Sequence, residues 1–186
     1  IPEMIVGFAL PVMYIMAGVA KPQVAFSPWL TNVPWITIGG MILGFGMMST
    51  GLAKRIAFRA ILLTGGTYKR TLAGLMLGGL IISPVVPSIM GKAALFSVIG
   101  LAICQALDLK PLSKAASGVM LTAFLAVAGP KLSYLTAAGD NPLAMGLVAK
   151  VTGTMITWAE FALHNAVIGI LYSFLGLAIV FLTIKP

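Results

Sequence analysis

The chain has 186 residues, of which 60% are hydrophobic and 9% charged, and its mean hydropathy is +1.07. A soluble domain of this size needs a polar surface that such an inventory cannot build, so soluble classes are excluded and an all-α polytopic membrane protein is expected. The formal net charge of +8 would point to nucleic acid in a soluble chain, but here it fits basic loops on the cytoplasmic face, and no nucleic-acid partner is expected.

The sequence opens at Ile1 without an initiator Met, and no basic stretch or small-residue cleavage site precedes the first apolar run. A signal peptide is therefore not expected, and the sequence reads as a piece of a longer chain or one lacking its first residues. Residues 4–20 form an apolar run near the lower length limit for a spanning helix, kinked by Pro11. Pro22, Pro28 and Trp29, with Trp35 close behind, suit a loop at the headgroup level. Residues 33–53 read as a second span, and its Gly39, Gly40, Gly44 and Gly46 suit close helix contact; with no strand ahead of them they do not make a phosphate loop. Lys54, Arg55, Arg59, Lys69 and Arg70 then mark the cytoplasmic side. Between them, residues 56–63 are too short to span and carry Arg59, which predicts an amphipathic helix along the interface, ended by Gly65-Gly66.

Residues 71–106 hold two apolar runs, each read as too short to cross, on either side of SPVVPS at residues 83–88. Pro84 and Pro87 remove backbone donors and disfavour helix in the residues before them, so the chain breaks there. Unpaired backbone in hydrocarbon is tolerated only under protein cover or beside a water-filled cavity. The reading is a re-entrant helical hairpin over residues 71–107 with its tip near the membrane midplane, its first arm carrying a Gly74-x-x-x-Gly78 packing spacing. Asp108, Lys110, Pro111 and Lys114 return the chain to the cytoplasmic side.

Residues 113–149 are too long for one simple span and are interrupted by Gly129-Pro130-Lys131 and by residues 136–142, TAAGDNP. A second broken helix is predicted, with a helical half before Gly129, an unwound centre and a short half from Pro142 to Lys150. Trp158 fits an outer interface, and residues 161–184 make a last span ending at Lys185. The expected architecture is four spanning helices, one of them broken, plus the hairpin, with both ends inside. Its units are scaffold spans and interfacial helix (1–70), hairpin (71–107), broken helix (108–150) and last span (151–186). Lys54, Arg55, Arg59, Lys69, Arg70, Lys110, Lys114 and Lys185 then lie inside and Lys21 and Lys150 outside, with Lys92 and Lys131 within membrane elements. Cys104, in an apolar run, has no internal disulfide partner.

At SPVVPSIMGKAALF (83–96) and SYLTAAGDNPLAMGL (133–147) the chain resembles the divalent anion:sodium symporter family, with its nearest likeness in the 2-oxoglutarate/malate translocator branch. That branch characteristically carries Pro-Ser-Asn-Thr-Ala-Arg at the hairpin tip and Leu-Thr-Ala-Met-Ala-Ala-Asn-Pro-Leu in the broken helix. The second motif keeps Leu135, Thr136, Ala137, Asn141, Pro142 and Leu143, and the first keeps Pro87 and Ser88. Smaller echoes are Thr50-Gly51-Leu52-Ala53-Lys54-Arg55 and Ile156-Thr157-Trp158. The resemblance implies half of an inverted-repeat transporter fold, the first repeat, with the second on the rest of the chain or on another subunit. The two repeats together would enclose sodium ions and a dicarboxylate. An inverted repeat needs an odd number of crossings, so one span ahead of Ile1 is implied.

The departures are specific. Ile89 and Met90 replace an amide and a hydroxyl that could face a cation, and Lys92 stands where the branch has Arg, a point charge without the bidentate fork. Asp140 replaces an Ala and can hold a cation or carry a proton.

Candidate substrate-binding residues are Ser88, Lys92, Thr136, Asn141 and Pro142, and candidate ion-coupling residues are Ser88, Asp140 and Asn141. No cofactor and no metal are expected apart from a coupled sodium ion. Intramembrane charges are functional candidates, although Lys92 and Asp140 can instead bridge each other or Lys92 can snorkel to the interface. Ser88, Thr136 and Asn141 can equally satisfy unwound backbone. Glu160 and His164 lie one helical turn apart, as a hydrogen-bonded pair or a proton or metal site, but two ligands fall short of a zinc site. No catalytic constellation can be assembled, so no enzyme is expected.

The expected function is secondary active transport of small di- or tricarboxylates (malate, 2-oxoglutarate, succinate or citrate type) by alternating access, coupled to sodium or protons or by exchange. The alternative is a non-transporting scaffold or assembly subunit that retains the half-fold. The expected partners are a small carboxylate, membrane lipid, the second repeat and a second copy in a homodimer. The expected setting is a bacterial inner membrane or a plastid inner envelope, with the chain integral and multi-pass.

Overall fold

The computed structural model describes residues 3–30, 32–64 and 67–184, and all of the regular structure in them is helical. In chain order the helices are α1 (Glu3–Met16), α2 (Pro22–Ala25), α3 (Asn32–Ser49), α4 (Leu52–Thr64), α5 (Tyr68–Ile82), α6 (Ile89–Ala106), α7 (Lys114–Ala128), α8 (Asp140–Thr152) and α9 (Trp158–Thr183). Two 3-10 turns, Pro130–Leu132 and Leu135–Ala137, separate α7 from α8. The expected helix end at Gly65-Gly66 and the span end at Lys185 lie outside the described residues.

Helix starts follow from capping chemistry. Ser88, Ser113 and Thr157 each precede a helix in extended conformation and accept the backbone N–H of the third helical residue, which satisfies a donor the helix leaves orphaned. Thr157 and Glu160 complete a reciprocal capping box. At the other end of α8, Gly153 takes the left-handed conformation (φ 72°) that closes a helix without a side-chain clash.

α7 is the hub. Its buried face, Ala115, Ala116, Gly118, Val119, Thr122, Ala123, Ala126 and Val127, is built from small and β-branched residues, so neighbouring backbones come close. A Cβ added at Gly79 of α5 would overlap the Ala126 carbonyl oxygen, and one at Gly100 of α6 would press on Met120 and Ala123. Gly74 and Gly78 are buried as their spacing suggests, and Gly79 beside them makes the close approach to Ala126.

The paired positions fix direction. Tyr68 donates to the Ala115 carbonyl at one end while Gly79 meets Ala126 further on, so α5 runs parallel to α7. Contacts of Gly169, Gly129 and Gly176 pair residues 169 with 133, 173 with 129, and 176 with 125, so α9 runs antiparallel to α7. α5 and α6 pack on α7 more than on each other, and both ends of this hairpin return to the Ala115 end of α7.

Two expectations are corrected. The second hairpin arm is not too short to cross: α6 is predominantly apolar, and with Lys114–Leu132 and Trp158–Thr183 it is one of three stretches, among the described residues, that are long and apolar enough to span. The first span is shorter than its apolar run, because α1 stops at Met16 and the chain turns through Gly18 at φ 68°. α4 is amphipathic, with Ala53 buried and Ile56, Phe58 and Ile61 packed on the core, while Leu62 and Leu63 are exposed. The hub and the rim differ in burial: 56% of the most apolar 18-residue window within Lys114–Leu132 is enclosed against 22% of that within α9, which leaves the outer face of α9 to lipid or to further protein.

Candidate functional site where two chain breaks meet

The first break, residues 83–88, is forced by its prolines. Pro84 and Pro87 bring no N–H, and the amides of Val85 and Val86 both fall back on the Ile82 carbonyl before Ser88 starts α6. The second break occupies residues 129–139 and is braced from several sides. The Asn141 amide donates to the carbonyls of Lys131 (2.8 Å) and Tyr134 (2.9 Å), and the Lys131 ammonium pairs with the Asp140 carboxylate at 2.6 Å. From α9, Trp158 donates its indole N–H to Thr136 Oγ1 at 3.0 Å and stacks on Tyr134 with ring centroids 6.0 Å apart.

The breaks are bonded to each other. Thr136 donates its hydroxyl to the Pro84 carbonyl, a backbone acceptor that the interrupted helix leaves open. Lys92, 0% exposed, reaches from the first turn of α6 to Ser83 Oγ (3.2 Å) and to the Ala137 carbonyl (2.7 Å). One hydroxyl and one ammonium thus stitch residues 83–84 to residues 136–137. α3 joins the junction as well, since a Cβ at Gly44 would press on Pro87 and Val86.

The predicted residues divide between brace and opening. Lys92, Thr136 and Asn141 are engaged in the bonds just described, while Ser88, half-buried, spends its hydroxyl on the Gly91 amide. Pro142 is buried in the first turn of α8, and Asp140, its side chain 57% exposed, stands at the outer edge with Lys131. Lys92 and Asp140 do not bridge each other as one reading allowed, because Lys131, nine residues earlier, is folded back onto Asp140 by the 3-10 turn after α7. Nor does Lys92 snorkel: its ammonium points inward. The N-termini of α6 and α8 adjoin the two breaks and carry backbone N–H groups free of intrahelical partners.

Glu160 and His164 are not a side-chain pair. The Glu160 carboxylate accepts from the Thr157 amide and hydroxyl, and His164 Nδ1 donates to the Glu160 backbone carbonyl at 2.7 Å. Among the described residues no cluster of three His, Cys, Asp or Glu is formed.

Sequence reasoning missed Ser83, Pro84, Tyr134, Trp158 and the Lys131 partner of Asp140. Trp158, assigned to an outer interface, is tied to the second break. Among the described residues Ser133 Oγ has no hydrogen-bond partner, and it is buried, wedged against Gly169 of α9. Close helix approach explains its position, and nothing in its pattern advertised it.

A helical membrane protein with two facing chain breaks has the form of a broken-helix transporter. The chain belongs to the sodium:sulfate symporter family, whose transmembrane region matches residues 2–186. This is a family of membrane transporters, and the chain is an integral, multi-pass membrane protein. It is 31% identical to an uncharacterized transporter of Haemophilus influenzae over 78% of this chain and 31% of that one. It is 27% identical to the chloroplastic dicarboxylate transporter 1 of Spinacia oleracea, over 74% of this chain and 25% of that one. To the protein of the same name from Arabidopsis thaliana it is 25% identical, over 74% and 26% respectively. The chain thus spans less than a third of the length of these relatives. The family resemblance read from the motifs at Ser88 and Asn141 agrees with this membership.

Proposed function

We propose that the complete protein is a secondary active transporter of small di- or tricarboxylates, of the malate, 2-oxoglutarate, succinate or citrate type, working by alternating access. The observation that carries this reading is the bonding of one chain break to the other through Lys92 and Thr136, since paired broken helices are where transporters of this architecture hold their substrates and ions. Ser88, Lys92, Thr136, Asn141 and Pro142 serve the carboxylate, the first turns of α6 and α8 favouring negative charge through their free N–H groups. Ser88, Asp140 and Asn141 serve coupling, with sodium as the ion that the family name suggests. The dicarboxylate transporter name carried by two relatives supports the substrate class.

In this reading the hairpin is re-entrant, four further spans surround it, and a second inverted repeat encloses the site from the rest of the chain or from another subunit. A homodimer in a bacterial inner membrane or a plastid inner envelope completes the picture. The test is uptake of labelled malate by the complete protein in proteoliposomes. Uptake driven by a sodium gradient, a proton gradient or internal dicarboxylate is expected, and no uptake of malate, 2-oxoglutarate, succinate or citrate under any of the three overturns the reading.

A further inference from the structure

Away from the two breaks, α7 and α9 leave part of their own seam uncovered. Leu121 and Leu125 of α7 face Tyr172, Leu175, Gly176 and Ile179 of α9 across a groove of about 410 Å³, and Leu121, Tyr172, Leu175 and Ile179 are exposed. Helices that pack in lipid meet through small residues, and Gly176 is the one small residue lining this groove, so its walls do not suit a further helix. An extended hydrocarbon chain, far thinner than a helix of about 10 Å, fits between such side chains. The groove leads to a basic corner. The spacing 114, 118, 121, 125 keeps Lys114 on the same face of α7 as Leu121 and Leu125, one turn beyond Gly118. At the level of Gly118 stand Ile184, just past the end of α9, and Tyr68 of α5, which Lys69 and Arg70 follow directly. Lys69, Arg70 and Lys114 are exposed, and among the described residues the one ion pair is Lys131–Asp140, so none of the three has a carboxylate partner. Asp108, the acidic residue nearest to Lys114 in sequence, makes no ion pair there either.

We propose that this groove is a binding site for one anionic phospholipid, an acyl chain lying between α7 and α9 and the headgroup phosphate at Lys114, in the field of Lys69 and Arg70. Charge selects the headgroup: basic residues at the end of a spanning helix attract anionic lipid, and a zwitterionic headgroup gains little from them. The groove selects a chain, because every methylene taken out of a looser environment adds to the hold. Lys114 serves both, since a lysine at a helix end lays its stem along apolar surface and keeps its ammonium among the headgroups. A lipid seated there covers the seam that α7 and α9 leave open.

Native mass spectrometry of the complete protein in detergent tests the proposal, by titration with phosphatidylglycerol and with phosphatidylcholine of the same acyl chains. The wild type is expected to hold one phosphatidylglycerol roughly tenfold or more tighter than phosphatidylcholine. Replacing Lys69, Arg70 and Lys114 together by Gln is expected to abolish that preference, whereas Lys54→Gln with Arg55→Gln, at the far end of α4 from Tyr68, is expected to keep it. Gly176→Leu fills the floor of the groove and is expected to weaken both lipids roughly tenfold, the loss of about two methylene contacts. Ile179→Trp, at the exposed rim, gives the same reading if Gly176→Leu does not fold. Equal affinity of the wild type for the two lipids overturns the proposal, as does a preference that survives the triple replacement or is lost equally in the α4 variant. Binding that neither groove variant weakens overturns it as well, and so does a wild type that takes up no lipid, which would mean that further protein fills the groove.

Discussion

The two chain breaks solve one problem in opposite ways. Residues 129–139 are held by their own surroundings, through two bonds from Asn141, the Lys131–Asp140 pair and the Trp158 indole. Residues 83–88 have one such brace, Lys92 of the helix that follows them, on the Ser83 hydroxyl, and their open Pro84 carbonyl is satisfied from the second break by Thr136. The second break is thus an anchor and the first a dependent. Backbone polarity inside a membrane must be met by something, and here a single well-braced interruption supports the other.

That contrast can be broken most severely at the seam between α5 and the hub. Gly79→Val places side-chain atoms against the Ala126 backbone, which cannot give way. A loss of about 3 kcal/mol is expected, read as a lower melting temperature and a reduced folded yield in detergent. The anchor itself is tested by Asn141→Leu, which strips two carbonyls of their donor and is expected to cost about 2 kcal/mol. Because the first break depends on the second, Asn141→Leu should also increase proteolytic or cysteine-labelling access at residues 84–87. Unchanged access there would mean that the two breaks are independent.

Smaller changes sharpen the same comparison. Ser88→Ala removes the α6 cap and is expected to cost roughly 1 kcal/mol, with Ser88→Thr retaining most of the stability. Its effect on labelling should stay within the first break. Asp140→Asn breaks an ion pair whose acidic partner is largely exposed, and a change of melting equivalent to less than about 1 kcal/mol is expected, shrinking further in high salt. A large effect would show that this pair, rather than Asn141, is the principal brace.

Both interruptions are legible in the chain, for a plain reason: Pro84, Pro87, Gly129 and Pro130 act through local sterics, which a sequence carries in full. The boundaries of α7 and the restart at Asp140 lie close to the predicted positions on the same grounds. What the breaks touch is another matter. Lys92 ends on the carbonyl of Ala137 and Thr136 on that of Pro84, and a backbone acceptor has no signature in side-chain identity. Asp140 has two intramembrane lysines to choose from, and the choice depends on how a 3-10 turn redirects Lys131. Trp158 looks like a headgroup anchor by residue type, yet Tyr134 and Thr136 claim it. The extent of α6, Ile89–Ala106, agrees with the hairpin end expected at residue 107, and only the reading of that run as too short to cross differs.

α9 runs for 26 residues, roughly 39 Å at the standard rise, whereas the oily layer of a bilayer is about 30 Å deep. Upright insertion would leave several apolar residues in water, so the helix has to lean or carry its Trp158 end beyond the hydrocarbon. The amount of lean is not free. Where Ser133 wedges at Gly169 and Ser173 at Gly129, side chains sit in notches that a sideways slide would jam. The slant of the longest helix is thereby geared to the very stretch of chain that supports the dependent break.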